Sequence, residues 1–310
     1  MQPDHSSADT VTADSVPTAG TVLAFYTEPA AMTSPGAYGP LLKDLPREVP
    51  ALAAIAQGLL IHEHMAAAYG VPLAEADRAS VHVRPVAGLL EQIIARDDRP
   101  LTQARVPAQR LPGNCRHFTV LMTAMLRAQG TPARARCGFG GYFATGMFED
   151  HWVCEYWDSA RERWRLADAQ IDDRQRGWFD IDFDLTDVPR DRFVVAGQAW
   201  AQCRSGAADP ARYGLSLIGE SGDWWIAANL VRDAAALRNV ELLPWDCWGA
   251  MPGPADAISA DLAGLFDRLA SLTQDPDTAF AELRQVLAGD ERVRVPRAVR
   301  NALRDRDEPI

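Results

Sequence analysis

With 310 residues, 47% of them hydrophobic, the chain is long enough to bury one large core or a core carrying extensions. Its 42 acidic residues against 31 basic ones give a formal net charge of −11, which excludes a nucleic-acid surface, because neutralising a phosphate backbone takes concentrated Lys and Arg. The one basic cluster, Arg292 to Arg306, is interleaved with acids and reads as a solvated terminal helix.

Residues 1–20 are rich in Ser, Thr, Asp and Pro without a basic start or an apolar stretch, and read as a disordered tail rather than a secretory signal. Residues 21–100 read as a helical N-terminal extension: one helix over Pro46 to Gly70, with Leu52, Ile55, Leu59, Leu60 and Ala66 as its apolar positions, and a second over Pro85 to Ala95. Even the most apolar stretch, Ala51 to Ala68, is broken by Gln57, His62, Glu63 and His64, so no membrane span is expected. On a helix His62 and His64 would face different sides, so the pair does not suggest a metal site.

The proline-containing connection from Arg99 to Pro112 delivers the chain to Asn114, a natural N-cap. From Cys115 to Gln129 the sequence is nearly continuously apolar until Gly130 and Pro132 stop it, which predicts a buried central helix. Three strand-like runs follow, Ala133 to Phe139, His151 to Trp157 and Trp164 to Asp168, and predict an antiparallel sheet. The stretch from Trp178 to Phe193 is acidic and aromatic, and helices are expected near Ala227 to Arg238, Asp256 to Leu272 and Asp277 to Leu287. Residues 101–200 therefore form a candidate core. Residues 201–310 form a helical, Trp-rich extension packed on it.

Five cysteines, at 115, 137, 154, 203 and 247, are widely spaced with no CxxC, which suits free thiols in a reducing, cytoplasmic setting. Cys115 is singled out by its place at a helix start, where orphan N–H groups and the positive end of the dipole favour thiolate. His151 is the candidate base. A four-residue turn from Asp158 to Arg161 would set His151 directly opposite Asp168, with Cβ atoms about 4.5–5.5 Å apart, close enough for the carboxylate to orient the ring. Asp150, Asp172 and Asp173 are alternative carboxylates that this register does not pair with His151. The oxyanion donors expected are the Cys115 N–H and an upstream group, assigned to Gln109. His117 falls two residues beyond the nucleophile and turns away from the sulfur. Cys137 and Cys154 read as packing residues, and Arg232 with Asp233 as a structural ion pair. Trp224, Trp225, Trp245 and Trp248 are core material or the wall of an acyl pocket.

The block Gly113-Asn114-Cys115-Arg116-His117-Phe118 through Ala133-Arg134 resembles the nucleophile helix of the transglutaminase-like superfamily. His151-Trp152-Val153-Cys154-Glu155 and Trp164-Arg165-Leu166-Ala167-Asp168 resemble its histidine and aspartate blocks, so the likeness covers roughly residues 100–175. It implies an α+β, papain-like core, a buried nucleophile helix packed on an antiparallel sheet, with Cys115, His151 and Asp168 as a triad. The family includes protein crosslinkers, peptidases, peptide N-glycanases and amide-forming enzymes. The cysteine pairs of the N-glycanases, a calcium-loop pattern and the Arg-Gly-Gly approach of the arylamine acetyltransferases are absent from this sequence. The expected function is cysteine-dependent acyl transfer from an amide- or peptide-containing substrate, with no cofactor. The acyl acceptor, water or an amine, and the oligomeric state stay open, and a non-catalytic binding or scaffold protein of the same fold is the alternative.

Overall fold

The structure, a computed structural model, describes residues 18–143 and 146–310. Most of the tail assigned to residues 1–20 lies outside the described residues, and its last two positions already open a helix. The N-terminal part holds α1 (Ala19–Thr27), α2 (Gly39–Lys43) and α3 (Val49–Leu59). The helix predicted through Gly70 stops at Leu60, whose backbone turns extended (φ −113, ψ 152) to start β1 (Leu60–His62). A parallel ladder with β2 (Leu111–Gly113) takes over from helical bonding there, so the second predicted helix, α4 (Val86–Arg96), is bracketed in sequence by two paired strands.

The central helix α5 (Cys115–Ala128) matches its predicted bounds within a residue, and nearly all of it is buried. Its hydrophobic side joins α2, α3 and α4 in one cluster built on Leu52, Leu59, Leu89, Leu90, Phe118, Leu121 and Met125. Its other neighbours are β3 (Ala133–Gly140) and β4 (Phe148–Asp158), the central pair of a six-stranded sheet. β4 pairs with β5 (Arg163–Ala167), and after α6 (Asp173–Trp178) the chain returns as β6 (Phe193–Val195) on the far edge of β3. Beyond α7 (Ala196–Arg204), β7 (Tyr213–Leu215) pairs with the first residues of β4 in parallel, and β8 (Glu220–Ser221) closes the edge. The expected antiparallel sheet is thus mixed, because the chain reaches β7 through α7 rather than through a hairpin.

α8 (Asp223–Ala236) lies against β3, and α9 (Ala260–Gln274) and α10 (Phe280–Gly289) build outward from it, separated from α8 by the short β9 (Asp246–Cys247). The basic segment read as a terminal helix is a hairpin instead, β10 (Ala298–Asn301) and β11 (Arg306–Pro309), paired to β9. Period-two burial explains this: Val299 and Asn301 point inward while their neighbours are exposed, and the arginines serve Glu308, which receives Arg304, Arg306 and Arg84. Arg84 also forks onto Asp246 at 2.7 and 2.8 Å, tying the N-terminal part to the C-terminal one. No helix among the described residues is long and apolar enough to cross a membrane.

One cluster unites Phe139 of the sheet with α7, α8 and α9 through Trp200, Ile226, Leu230, Val231 and Phe266. Cutting the chain after Cys203 would strip α8 from β3 and expose that apolar surface to water. The 1–203 fragment is therefore expected to be insoluble or unfolded on expression. A soluble fragment with a cooperative unfolding transition would show that the C-terminal part is not needed to complete the core.

Candidate active site

The loop before α5 is built by close approach. A Cβ on Gly113 would sit 3.0 Å from His117 Cβ, so glycine lets β2 run into the first turn of the helix. Asn114 then caps α5, its side-chain oxygen accepting from Arg116 N–H at 3.1 Å. His117 completes the cap rather than the site: Asn114 N–H donates to its Nδ1 (3.2 Å) and its Nε2–H donates to Val83 O (3.0 Å). Cys115 is thereby fixed at the first helical position, 7% exposed, with a backbone N–H that bonds to nothing among the described residues.

His151 and Asp168 meet, Nε2 to Oδ2 at 2.8 Å, with both residues buried. The register that brings them there differs from the expected one. Asp158 pairs with Arg163 and Trp157 with Trp164, so the loop is Ser159–Glu162, with Glu162 in the left-handed region at φ +49. Every partner moves by two residues. An even shift preserves which face each side chain occupies, so the histidine and carboxylate meet diagonally instead of directly across, from just beyond the last ladder pair, Cys154 with Ala167.

Asp168 is saturated with donors. Tyr142 OH donates to Oδ2 at 2.7 Å and Gln170 N–H to Oδ1 at 2.9 Å. Burial pushes its acidity the wrong way for a carboxylate, but His151, Tyr142 and the Gln170 N–H outweigh burial and hold Asp168 below its ordinary value. The ring of His151 is walled by Phe143, with centroids 4.7 Å apart, Tyr142 at 6.0 Å and Phe193 at 6.3 Å, all edge-on. Two of the alternative carboxylates are engaged elsewhere. Asp150 accepts from Trp225 Nε1 at 2.8 Å, and Asp172 caps α6 and accepts from Tyr69 OH.

Three expectations need correction. The helix start was expected to favour the Cys115 thiolate, yet burial pushes the thiol well up, with the Asp150 and Asp168 carboxylates adding to it. The N–H groups of Trp152 and Arg116 recover only part. No hydrogen bond joins its sulfur to His151 among the described residues, and Cys115 packs with Cys137, Trp152, Ala135 and Ala236. Gln109 is not beside Cys115: it is exposed and its Oε1 accepts from Arg99 Nη2 at 2.9 Å. Nor do Arg232 and Asp233 pair with each other. Asp233 takes Arg136, at 2.8 and 3.0 Å, while Arg232 donates to Asn229 and to the Asp246 carbonyl.

Sequence reasoning passed over three residues at this site. Tyr142 comes from the β3–β4 connection and Gln170 from two positions past Asp168, and neither belongs to a recognisable spacing. His62 was set aside on the premise of a helix. As the last residue of β1 it lies opposite Gly113, and His151 and Asp168 are close enough to bear on its protonation.

Residues 90–183 match the family model described as the transglutaminase-like superfamily. No curated protein matches the chain. A solved structure of a candidate cysteine protease from Cytophaga hutchinsonii aligns with 16% identity and a TM-score of 0.33 over 56% of this chain. The alignment spans 45% of that protein's length, a likeness too distant to argue from. Cys115, His151 and Asp168 all lie within the segment, residues 90–183, that matches the transglutaminase-like superfamily model.

Proposed function

We propose that the chain is a cysteine-dependent acyl-transfer enzyme that forms a thioester on Cys115 from an amide- or peptide-containing donor. The observation that carries the reading is the 2.8 Å contact from His151 Nε2 to Asp168, within the same family-matched segment as a cysteine at the first turn of α5. Asp168 accepts a hydrogen bond from Nε2–H, which leaves the other ring nitrogen, Nδ1, with a lone pair for the thiol proton. Sγ attacks the acyl carbon as that proton passes to His151. The oxyanion forms beside the unpaired Cys115 N–H, and the departing amine takes the proton back from His151. A second nucleophile then opens the thioester: water gives hydrolysis, an amine gives a new amide. Five free cysteines fit a reducing, cytoplasmic setting.

A non-catalytic scaffold is the competing reading, favoured by the raised thiol and its missing bond to His151. One experiment separates them: iodoacetamide alkylation against pH, resolved by cysteine with mass spectrometry, on the wild type and on His151→Ala. Ranking the cysteines is uninformative, because Cys203 and Cys247 are more exposed than Cys115 and react on access alone. The informative quantity is the change at Cys115. Because burial raises its thiol, removing the partner that takes up its proton is expected to move its alkylation profile to higher pH and slow it about tenfold or more near pH 7, leaving the other four cysteines unchanged. A Cys115 rate indifferent to His151 would favour the scaffold.

A further inference from the structure

Away from the candidate active site, a cleft of about 370 Å³ opens between the end of α7, the start of α8 and the segment that leads into α9. That volume is within the range of small-molecule sites. None of Cys115, His151 and Asp168 lines it. Buried Trp200 and Ala263 form its floor, half-buried Trp224 and Ile258 stand at its sides, and exposed Arg204, Asp223 and Asp256 reach it from the rim. The interior is therefore apolar and aromatic, and the rim is charged.

Arg204 is the one cationic side chain lining the cleft among the described residues, and it is already paired. Its Nε and Nη2 donate to Asp267 at 3.1 and 3.2 Å, and the same carboxylate takes Trp200 Nε1–H at 2.7 Å. The guanidinium carbon sits 5.9 Å from the centroid of the Trp200 ring. Asp223 and Asp256 make no ion pair among the described residues. Asp256 Oδ2 accepts the Gly253 N–H at 2.8 Å, which closes a turn without neutralising the charge. Asp223 is the first residue of α8, where the helix dipole favours a negative side chain. It is close enough to Arg204 to act on it, after Asp267, yet three carboxylates against one guanidinium leave the rim negative.

Indole faces and surplus carboxylates around one apolar space choose the sign of a ligand's charge. An ammonium gains from the negative face of an indole and from carboxylate acceptors for its N–H groups. A carboxylate or a phosphate would meet Asp223 and Asp256, and would find Arg204 held by Asp267. A neutral ligand of the same shape would bury its stem and leave the rim's charge unanswered. We propose that this cleft binds a small organic cation, a primary alkylammonium whose apolar stem lies over Trp200, Ile258 and Ala263 and whose head sits among Asp223, Asp256 and the Trp224 ring. Trp224 then walls a ligand site of its own rather than an acyl pocket. The inference is independent of the acyl-transfer reading, since binding here needs neither Cys115 nor turnover.

The test holds the stem constant and changes the head. Full-length protein carrying ¹⁵N-labelled tryptophan is titrated near pH 7 and at low salt with n-hexylammonium, 1-hexanol and hexanoate. The Trp224 indole ¹H–¹⁵N signal, assigned through Trp224→Phe, is followed. The expected result is a saturable shift with n-hexylammonium at millimolar concentrations, binding of 1-hexanol about tenfold weaker, binding of hexanoate weaker still, and a smaller difference among the three in added salt. Asp223 and Asp256 are exposed, so the double variant Asp223→Asn with Asp256→Asn should keep the fold, which a thermal melt checks. It should raise the dissociation constant of n-hexylammonium about tenfold, the loss expected of two exposed charge pairs, and leave that of 1-hexanol unchanged. The absence of a saturable shift with n-hexylammonium, equal binding of 1-hexanol or hexanoate, or a folded double variant that binds the ammonium as the wild type does would overturn the cation site.

Discussion

The Asp168→Asn variant is expected to lose about 10³- to 10⁴-fold in acyl transfer while remaining folded, because the change is one of hydrogen-bond polarity and not of shape. Asp168 accepts at both oxygens: Oδ2 from His151 Nε2 and Tyr142 OH, Oδ1 from the Gln170 N–H. An amide in its place can turn only one way without facing a donor to a donor. Its oxygen must take the fixed Gln170 N–H, since the reverse orientation would set NH₂ against that backbone donor at a cost of about 1–3 kcal/mol. The NH₂ then points at His151 Nε2, which must become the acceptor, and the ring proton moves to Nδ1. That nitrogen is the one needed to take the thiol proton. Tyr142 can rotate its hydroxyl and accept, so nothing else in the pocket resists the switch. The measurement is single-turnover thioester formation, read by intact-protein mass spectrometry with an activated amide or ester, beside a thermal melt. A wild-type rate in a stably folded Asp168→Asn protein would remove the carboxylate from the mechanism.

The parts of this fold that depend on local pattern were legible before the structure. The bounds of α5, the three strands after it and the helices α8 to α10 follow from apolar periodicity and from Gly and Pro punctuation, and the Asn114 cap is a local hydrogen bond. Features set by partners distant in sequence were not. β1 exists because Leu111–Gly113 lies alongside it, and the C-terminal hairpin because β9 and Arg84 wait for it. His62 was misjudged for this reason: its place beside the site is a property of a ladder joining residues some fifty positions apart. Gln109 failed as an oxyanion donor because the Pro107–Gln109 turn directs it outward to Arg99, a contact no spacing rule anticipates. The His151–Asp168 pairing survived a wrong register only because the error was even. The state of the Cys115 thiol is beyond sequence for a different reason: it depends on how completely β3, β4 and α8 exclude water from the helix start.

That exclusion sets up the largest stability effect. Replacing Asp233 by Ala is expected to cost about 3–5 kcal/mol, the range for breaking a buried ion pair from one side. Arg136 is 1% exposed and forks onto Asp233, with Nη1 on Glu155 Oε2 at 3.1 Å and Nη2 also on the Thr273 carbonyl at 2.8 Å. Without Asp233 its nearest counter-charge is Glu155, which already serves Arg134 and Arg190 at 2.6 Å each. The Cys137 N–H, which donates to Asp233 Oδ1 at 2.9 Å just outside the β3–β6 ladder, would lose its partner as well. Replacing both ends, as Arg136→Met with Asp233→Leu, should recover most of the loss, since no buried charge is then left unpaired. Urea unfolding at neutral pH distinguishes the two, and a single variant as stable as the wild type would show that water reaches Arg136. The pH dependence has a defined sign. Burial alone would raise Glu155, but Arg134, Arg136 and Arg190 hold it far below the usual carboxylate range. Its stabilisation is therefore complete above its unfolded value of about 4.3 and fades as acid carries the pH down toward the folded one. The same helix that presents Asp233 sets Ala236 against Cys115 and Cys137. Loosening α8 should thus let water reach the thiol and relieve the burial that raises it, so Asp233→Ala is expected to speed Cys115 alkylation under native conditions even as it destabilises the fold.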